Sequence, residues 1–88
     1  MDLEDDFKSA IDRSSSITQK PANEELLLLY ALYKQASEGD VTGERPGGFD
    51  FKGAAKYDAW AEFKGKDQRE CMLEYIELVN KLVEKYNG

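Results

Sequence analysis

The stretch Leu26–Ala36, LLLLYALYKQA, sets four leucines side by side and follows them with two tyrosines and a lysine. An α-helix turns about 100° per residue, and a helix on the surface of a soluble protein keeps one apolar stripe and leaves the rest polar. This segment breaks that pattern. On a helical wheel Leu26, Tyr30, Tyr33 and Ser37 share one side, with Leu27 and Lys34 on its shoulder. Leu28, Leu32 and Ala36 fall roughly opposite, and Leu29 bridges the two. Two surfaces are therefore apolar. One reading makes this the most buried helix of its fold, with tyrosines at the boundary. The other gives the Leu28 and Leu32 face to the core and lets the Leu26 and Leu27 face line a groove. Tyr30, Tyr33 and Lys34 suit the second reading, because tyrosine offers a flat ring with a hydroxyl that seeks a partner. A neighbouring lysine supplies a cation for an anionic ligand. Rings beside fixed positive charge fit a nucleotide, whose base stacks while its phosphate pairs.

Outward from that stretch the chain divides into four helical pieces. Leu3, Phe7, Ala10 and Ile11 keep helical spacing up to about Ser15. The second piece opens near Pro21, which suits a first helical turn, with Glu24 and Glu25 at the positive end of the dipole. The segment Glu38–Phe51 is rich in Gly with Pro46 at its centre and reads as a long loop, organised around Glu44-Arg45-Pro46. The third piece, about Phe51–Lys64, carries Ala55, Ala59, Trp60 and Phe63 on one side, and Trp60 and Phe63 read as core. The fourth opens at Asp67 with Glu70 three residues on, an acidic variant of a capping box. Its Met72, Tyr75, Ile76, Val79, Leu82, Val83 and Tyr86 form the clearest periodic run in the chain. Nothing reads as a strand. The expected fold is all-α, a four-helix bundle with a long connection between the second and third helices.

Composition narrows the chemistry. The 88 residues suffice for one domain, residues 1–88, with one modest core. Histidine is absent, which removes the commonest general base and metal ligand. With one cysteine, Cys71, no internal disulfide forms and no Cys/His zinc cluster exists. Cys71 is expected to be a passive, half-buried thiol. Eighteen acidic residues against 12 basic ones give a net charge of −6, which disfavours nucleic acid and anionic membrane as bulk partners. MDLEDDF lacks the basic and apolar segments of a signal peptide, and no apolar run approaches a membrane span. A cytoplasmic protein, without stable membrane insertion, is expected.

YALYKQA at 30–36 followed by Gly39-Asp40, then ERPGGFDFKGAAKYDAW at 44–60 and EYIELV at 74–79, closely resembles the acyl-CoA-binding protein family. The likeness runs from about Phe7 to Tyr86. It implies a four-helix carrier and buffer of long-chain fatty-acyl-CoA thioesters, monomeric, not an enzyme and without a cofactor. The ligand contacts it implies are Tyr30, Ala31, Leu32, Tyr33, Lys34, Lys52, Lys56 and Tyr75, with Leu26 and Leu27 lining the acyl chain and Lys52 a weaker member. Without the resemblance, Tyr75 reads equally as core, and Lys52 and Lys56 as solvated lysines. The chain departs from the family pattern at Ser14 and Ser15, where an apolar–basic pair is usual. The first helix is thereby expected to lose a side chain from its Phe7, Ile11, Ser14, Ile17 stripe and a cation facing the phosphates. Arg13 lies nearby but points 100–200° away on a wheel. Tyr57 replaces a common tryptophan and keeps the aromatic character. A competing function is a protein-interaction module whose groove takes an amphipathic peptide helix.

Overall fold

Four α-helices account for the regular structure in residues 2–87, the part of the chain described by the computed structural model: α1 Leu3–Ser14, α2 Asn23–Glu38, α3 Phe51–Ala61 and α4 Gln68–Asn87. Each begins where local chemistry satisfies otherwise free N–H groups. Asp2 caps α1 by accepting from the Glu4 amide at 3.3 Å, and Asp50 caps α3 by accepting from the Gly53 amide at 3.0 Å. A Cβ at Gly53 would lie 2.3 Å from the Asp50 carboxylate, so a larger residue there would make the capping side chain move. Asp67 accepts from the Glu70 amide at 3.2 Å ahead of α4. At the start of α2 the Glu25 carboxylate reaches back to the Ala22 amide at 2.9 Å. The same carboxylate takes the Tyr86 hydroxyl and the Lys85 ammonium of α4, and these bonds lower its pKa to about 2. Pro21 stands before the cap, not in the first turn as expected, because Glu25 closes the helix on Ala22.

The helices pack in an order that explains the two apolar faces of α2. α4 lies against α1 and α2, while α3 lies against α2 alone. One side of α2, through Leu32 and Ala36 with Leu29 on its shoulder, joins Phe7 and Ala10 of α1 and Cys71, Tyr75 and Val79 of α4 in the core. The other side, through Leu27 and Ala31, meets Ala55 and Ala59 of α3. α2 is therefore apolar twice because it has two partners. Leu28 belongs to neither contact: it is 39% exposed, at the edge of a shallow acidic groove with Glu24, Asp58 and Glu62. The expectation that Leu28 is core is thus corrected. The wheel places it between the α3 and α4 faces, and the two helices leave that edge open. Leu32, at 2% exposed, holds to its expected place.

α2 and α3 run in the same sense, Asn23 near Phe51 and Gly39 near Trp60, so the chain must travel back along α2 before α3 can start. Residues 39–50 make that return, and α3 holds them. Trp60 Nε1 donates to the Gly39 carbonyl at 2.8 Å, and the Tyr57 hydroxyl donates to the Gly43 carbonyl at 3.1 Å. Arg45 donates twice to Asp58, at 2.8 and 2.9 Å. This pairing lowers the Asp58 pKa and gives Arg45 its loop-organising role, with a partner on the helix. At the far end of α2, the buried Gln35 amide donates to Asp40 and to the Lys66 carbonyl, and Asp40 also accepts from the Gly65 amide at 2.7 Å. α3 stops at Ala61, three residues earlier than expected, where the chain tightens into successive i→i+3 bonds. Gly65 then takes a φ of +86°, a backbone conformation glycine adopts without steric cost.

Candidate ligand-binding groove

Because α3 touches only α2, an open basin remains on the side of α2 that carries Leu26, Tyr30, Tyr33 and Lys34. Its lower part is a groove of about 440 Å³ between the starts of α2 and α3. Leu26, Leu27, Phe51 and Ala55 give it apolar walls, and Lys20, Asn23, Lys52 and Lys56 give it a polar rim. Among the described residues none of the three lysines forms an ion pair, although the protein as a whole carries a charge of −6. Their charge is therefore available to an anion.

The upper part is aromatic. Lys56 Nζ sits 5.3 Å from the centre of the Tyr30 ring, a cation–π contact that joins α3 to α2. One turn further along α2, Tyr33 is 38% exposed, and its ring centre lies 6.4 Å from that of Tyr75 and 6.2 Å from that of Phe7. Tyr75 itself is 4% exposed, edge-on to Phe7 at 5.1 Å, and its hydroxyl donates to Ser14 Oγ at 3.5 Å. Burial pushes its phenol pKa up, and the bond to Ser14 opposes that. Ser14 thus gives the Tyr75 hydroxyl a polar neighbour where an apolar side chain was expected to be missed. Ala31, against α3, and Leu32, in the core, are buried and present almost no side-chain surface to this row.

Two of the expected cations behave differently from each other. Lys56 is free to turn toward a ligand, whereas Lys34 is bonded to Glu38 one turn on and lies 4.9 Å over the Trp60 ring. The bond to Glu38 is the main reason its pKa is raised. Lys34 must leave Glu38 to meet a phosphate, so Glu38→Gln should tighten binding of a phosphorylated ligand by roughly two- to fivefold at low salt, the usual worth of an exposed ion pair. Titration calorimetry would read this. Weaker binding by the variant would instead mean that Glu38 holds Lys34 in its working position. Arg13 points elsewhere, to Asn80 of α4. Trp60 is buried at 7%, as expected of core, and Cys71 is fully rather than half buried, its thiol pKa raised by burial.

Lys20, Asn23 and Phe51 were not among the expected groove residues. Phe51 could have been found, since it stands one turn before Ala55 on α3. Lys20 lies in an irregular segment and carries no periodic signal. Among the described residues no cluster of metal-ligating side chains occurs. What this side of α2 offers is the rings of Tyr30 and Tyr33, lysines beside them, and an apolar trough.

The fold and the basin together define a class: a small all-α protein with an open cradle for an amphiphilic anion. A family model described as acyl CoA binding protein matches residues 4–79. The acyl-CoA-binding protein of Brassica napus is 46% identical over 84 residues, which cover 96% of this chain and 91% of that one. The acyl-CoA-binding protein of Saccharomyces cerevisiae is 44% identical over 82 residues, covering 93% and 94%. The crystal structure of Oryza sativa acyl-CoA-binding protein 2 matches with a TM-score of 0.92 at 40% identity, over 98% of this chain and 96% of that one. The chain belongs to the acyl-CoA-binding protein family. No helix of the described residues is long and apolar enough to cross a membrane.

Proposed function

We propose that this protein binds a long-chain fatty-acyl-CoA thioester in the basin and carries it unchanged, as a monomeric, single-domain buffer in the cytoplasm. The observation that carries this reading is the placement of three features along α2: the apolar trough of Leu26, Leu27, Phe51 and Ala55, the Lys56–Tyr30 contact, and the exposed Tyr33 ring one turn further on. An acyl-CoA laid along α2 would put its chain in the trough, its phosphates beside Lys56 and its adenine by the tyrosine rings. Its adenine stacks on a tyrosine ring, at roughly 1–3 kcal/mol by analogy with nucleic-acid bases. Its phosphates meet Lys56, Lys34 after release from Glu38, and Lys52 at the rim. Its acyl chain lies in the trough. Ala31 against α3 and Leu32 in the core hold α2 in place behind the site, and Tyr75 backs Tyr33 from α4. Catalysis is not supported, since the chain has no histidine and its one thiol is fully buried with a raised pKa.

Calorimetric titration with palmitoyl-CoA, free CoA and palmitate tests the reading. The thioester should bind more tightly than either fragment by several orders of magnitude, because only it uses both trough and cations at once. If it binds no better than the tighter fragment, the basin is not an acyl-CoA site.

A further inference from the structure

The two most exposed aromatic side chains, Phe49 at 93% and Phe51 at 74%, stand beside each other at the outer end of the groove, ring centres 6.5 Å apart and nearly perpendicular. They are presented on a built turn. The Asp50 amide donates to the Gly47 carbonyl at 3.3 Å and the Phe51 amide to the Phe49 carbonyl at 3.0 Å, while Gly48 takes a φ of +64°. The Asp50 carboxylate between the two rings is spent on capping α3. Exposing two aromatic rings on a firm tip costs solubility and contributes nothing to the core, which contains neither. Phe51 is also a wall of the groove, so the aromatic tip and the trough form one continuous apolar surface. Lys20, Lys52 and Lys56 flank that surface without ion pairs among the described residues.

From this geometry we infer that the Phe49–Phe51 tip docks the protein reversibly on an anionic lipid surface, with the mouth of the groove facing the bilayer. The rings enter the interface and the flanking lysines meet lipid phosphates. An acyl chain can then pass between bilayer and trough without crossing open water. Charge complementarity selects this occupant: the protein is acidic overall, yet the rim next to the exposed rings is basic, so an anionic surface is attracted at this one end. The docking is peripheral, through side chains, and involves no spanning helix. The inference rests on the acyl-CoA reading for its purpose but not for its test.

The probe is co-sedimentation of the full chain with vesicles of phosphatidylcholine, with and without phosphatidylserine as a third of the lipid, using wild type and Phe49→Ser. Phe49 lies outside the groove walls, so the variant should keep the wild-type affinity for palmitoyl-CoA in vesicle-free solution. The wild type should favour the phosphatidylserine vesicles, and the variant should bind them about tenfold more weakly, as expected for loss of one buried aromatic ring. Equal vesicle binding by the two proteins, or none by the wild type, overturns the inference. So does self-association of the wild type that Phe49→Ser abolishes, which would give the tip to a second copy of the chain. Loss of palmitoyl-CoA affinity in solution by Phe49→Ser would overturn it too, by moving Phe49 into the ligand site. A wild type that binds vesicles through Phe49 but no acyl-CoA in solution supports the docking and overturns the carrier reading, so the two failures are told apart.

Discussion

Octanoyl-CoA should bind about a hundredfold more weakly than palmitoyl-CoA. Both ligands share every polar group, so the stacking and the phosphate contacts cancel in the comparison. What remains is the alkyl chain in the trough of Leu26, Leu27, Phe51 and Ala55. A fully buried methylene contributes about 0.8 kcal/mol. The trough is open on one side, and Leu26 and Phe51 are themselves partly in solvent, at 36% and 74% exposure. A chain lying in it keeps part of its own surface wet, so roughly half of that value applies to each of the eight extra methylenes. The difference is then about 3 kcal/mol, a factor of about a hundred. Titration calorimetry across an even-chain series from octanoyl to stearoyl would measure it. The heat-capacity change should grow more negative with chain length, the mark of apolar burial. The gain per carbon should fade once the chain end passes Phe51, where the groove ends. Equal affinity for octanoyl- and palmitoyl-CoA would mean that the alkyl chain stays in water and that the trough has another purpose.

What could be read in advance, and what could not, follows from periodicity. Tyr30, Tyr33, Lys34, Leu26 and Leu27 share one sector of a helical wheel, and they share one side of α2 in the basin. Tyr75, Val79 and Leu82 repeat at helical spacing, and all three are buried on α4. A wheel sorts residues by direction, however, and does not say how many helices lie in that direction. That is why the wheel gives Leu28 to the core: its direction is right for a helix with one broad buried face, but α2 has two narrower ones with a gap between them. Segments without a period were the other blind region. Lys20 sits between helices and Arg45 in the return loop, so neither groove membership nor pairing with Asp58 has a trace in spacing. The Lys34–Glu38 bond is different again. Its i,i+4 spacing was visible, yet only the fold places both residues beside the row of rings, where their pairing competes with a ligand.

Lys56→Ala should cost palmitoyl-CoA affinity about ten- to a hundredfold, the range expected for one charge-assisted hydrogen bond at 1.5–3 kcal/mol. The large figure has two sources. Lys56 has no ion pair among the described residues, so a phosphate that recruits it has no carboxylate to displace. Lys34 must first leave Glu38, and part of what it gains from the ligand is offset. Lys56→Ala should therefore cost more than Lys34→Ala, although the two lysines carry equal charge. Lys56 also lies against the Tyr30 ring, and its removal takes away the cation–π contact that backs that ring for a stacked base. Those two contributions can be separated with a ligand lacking the 3′-phosphate. If Lys56 holds that phosphate, the variant's loss shrinks several-fold on the dephospho ligand. If its main role is to back the Tyr30 ring, the loss is the same on both ligands, and Lys56→Arg, which keeps a cation over the ring, restores it on both. Salt supplies an independent check, because the phosphate contribution of an exposed lysine falls as ionic strength rises. A salt-independent loss, equal on both ligands, would remove Lys56 from the phosphate site and leave Lys34, with Lys52 and Lys20 on the rim of the groove, as the cations that remain.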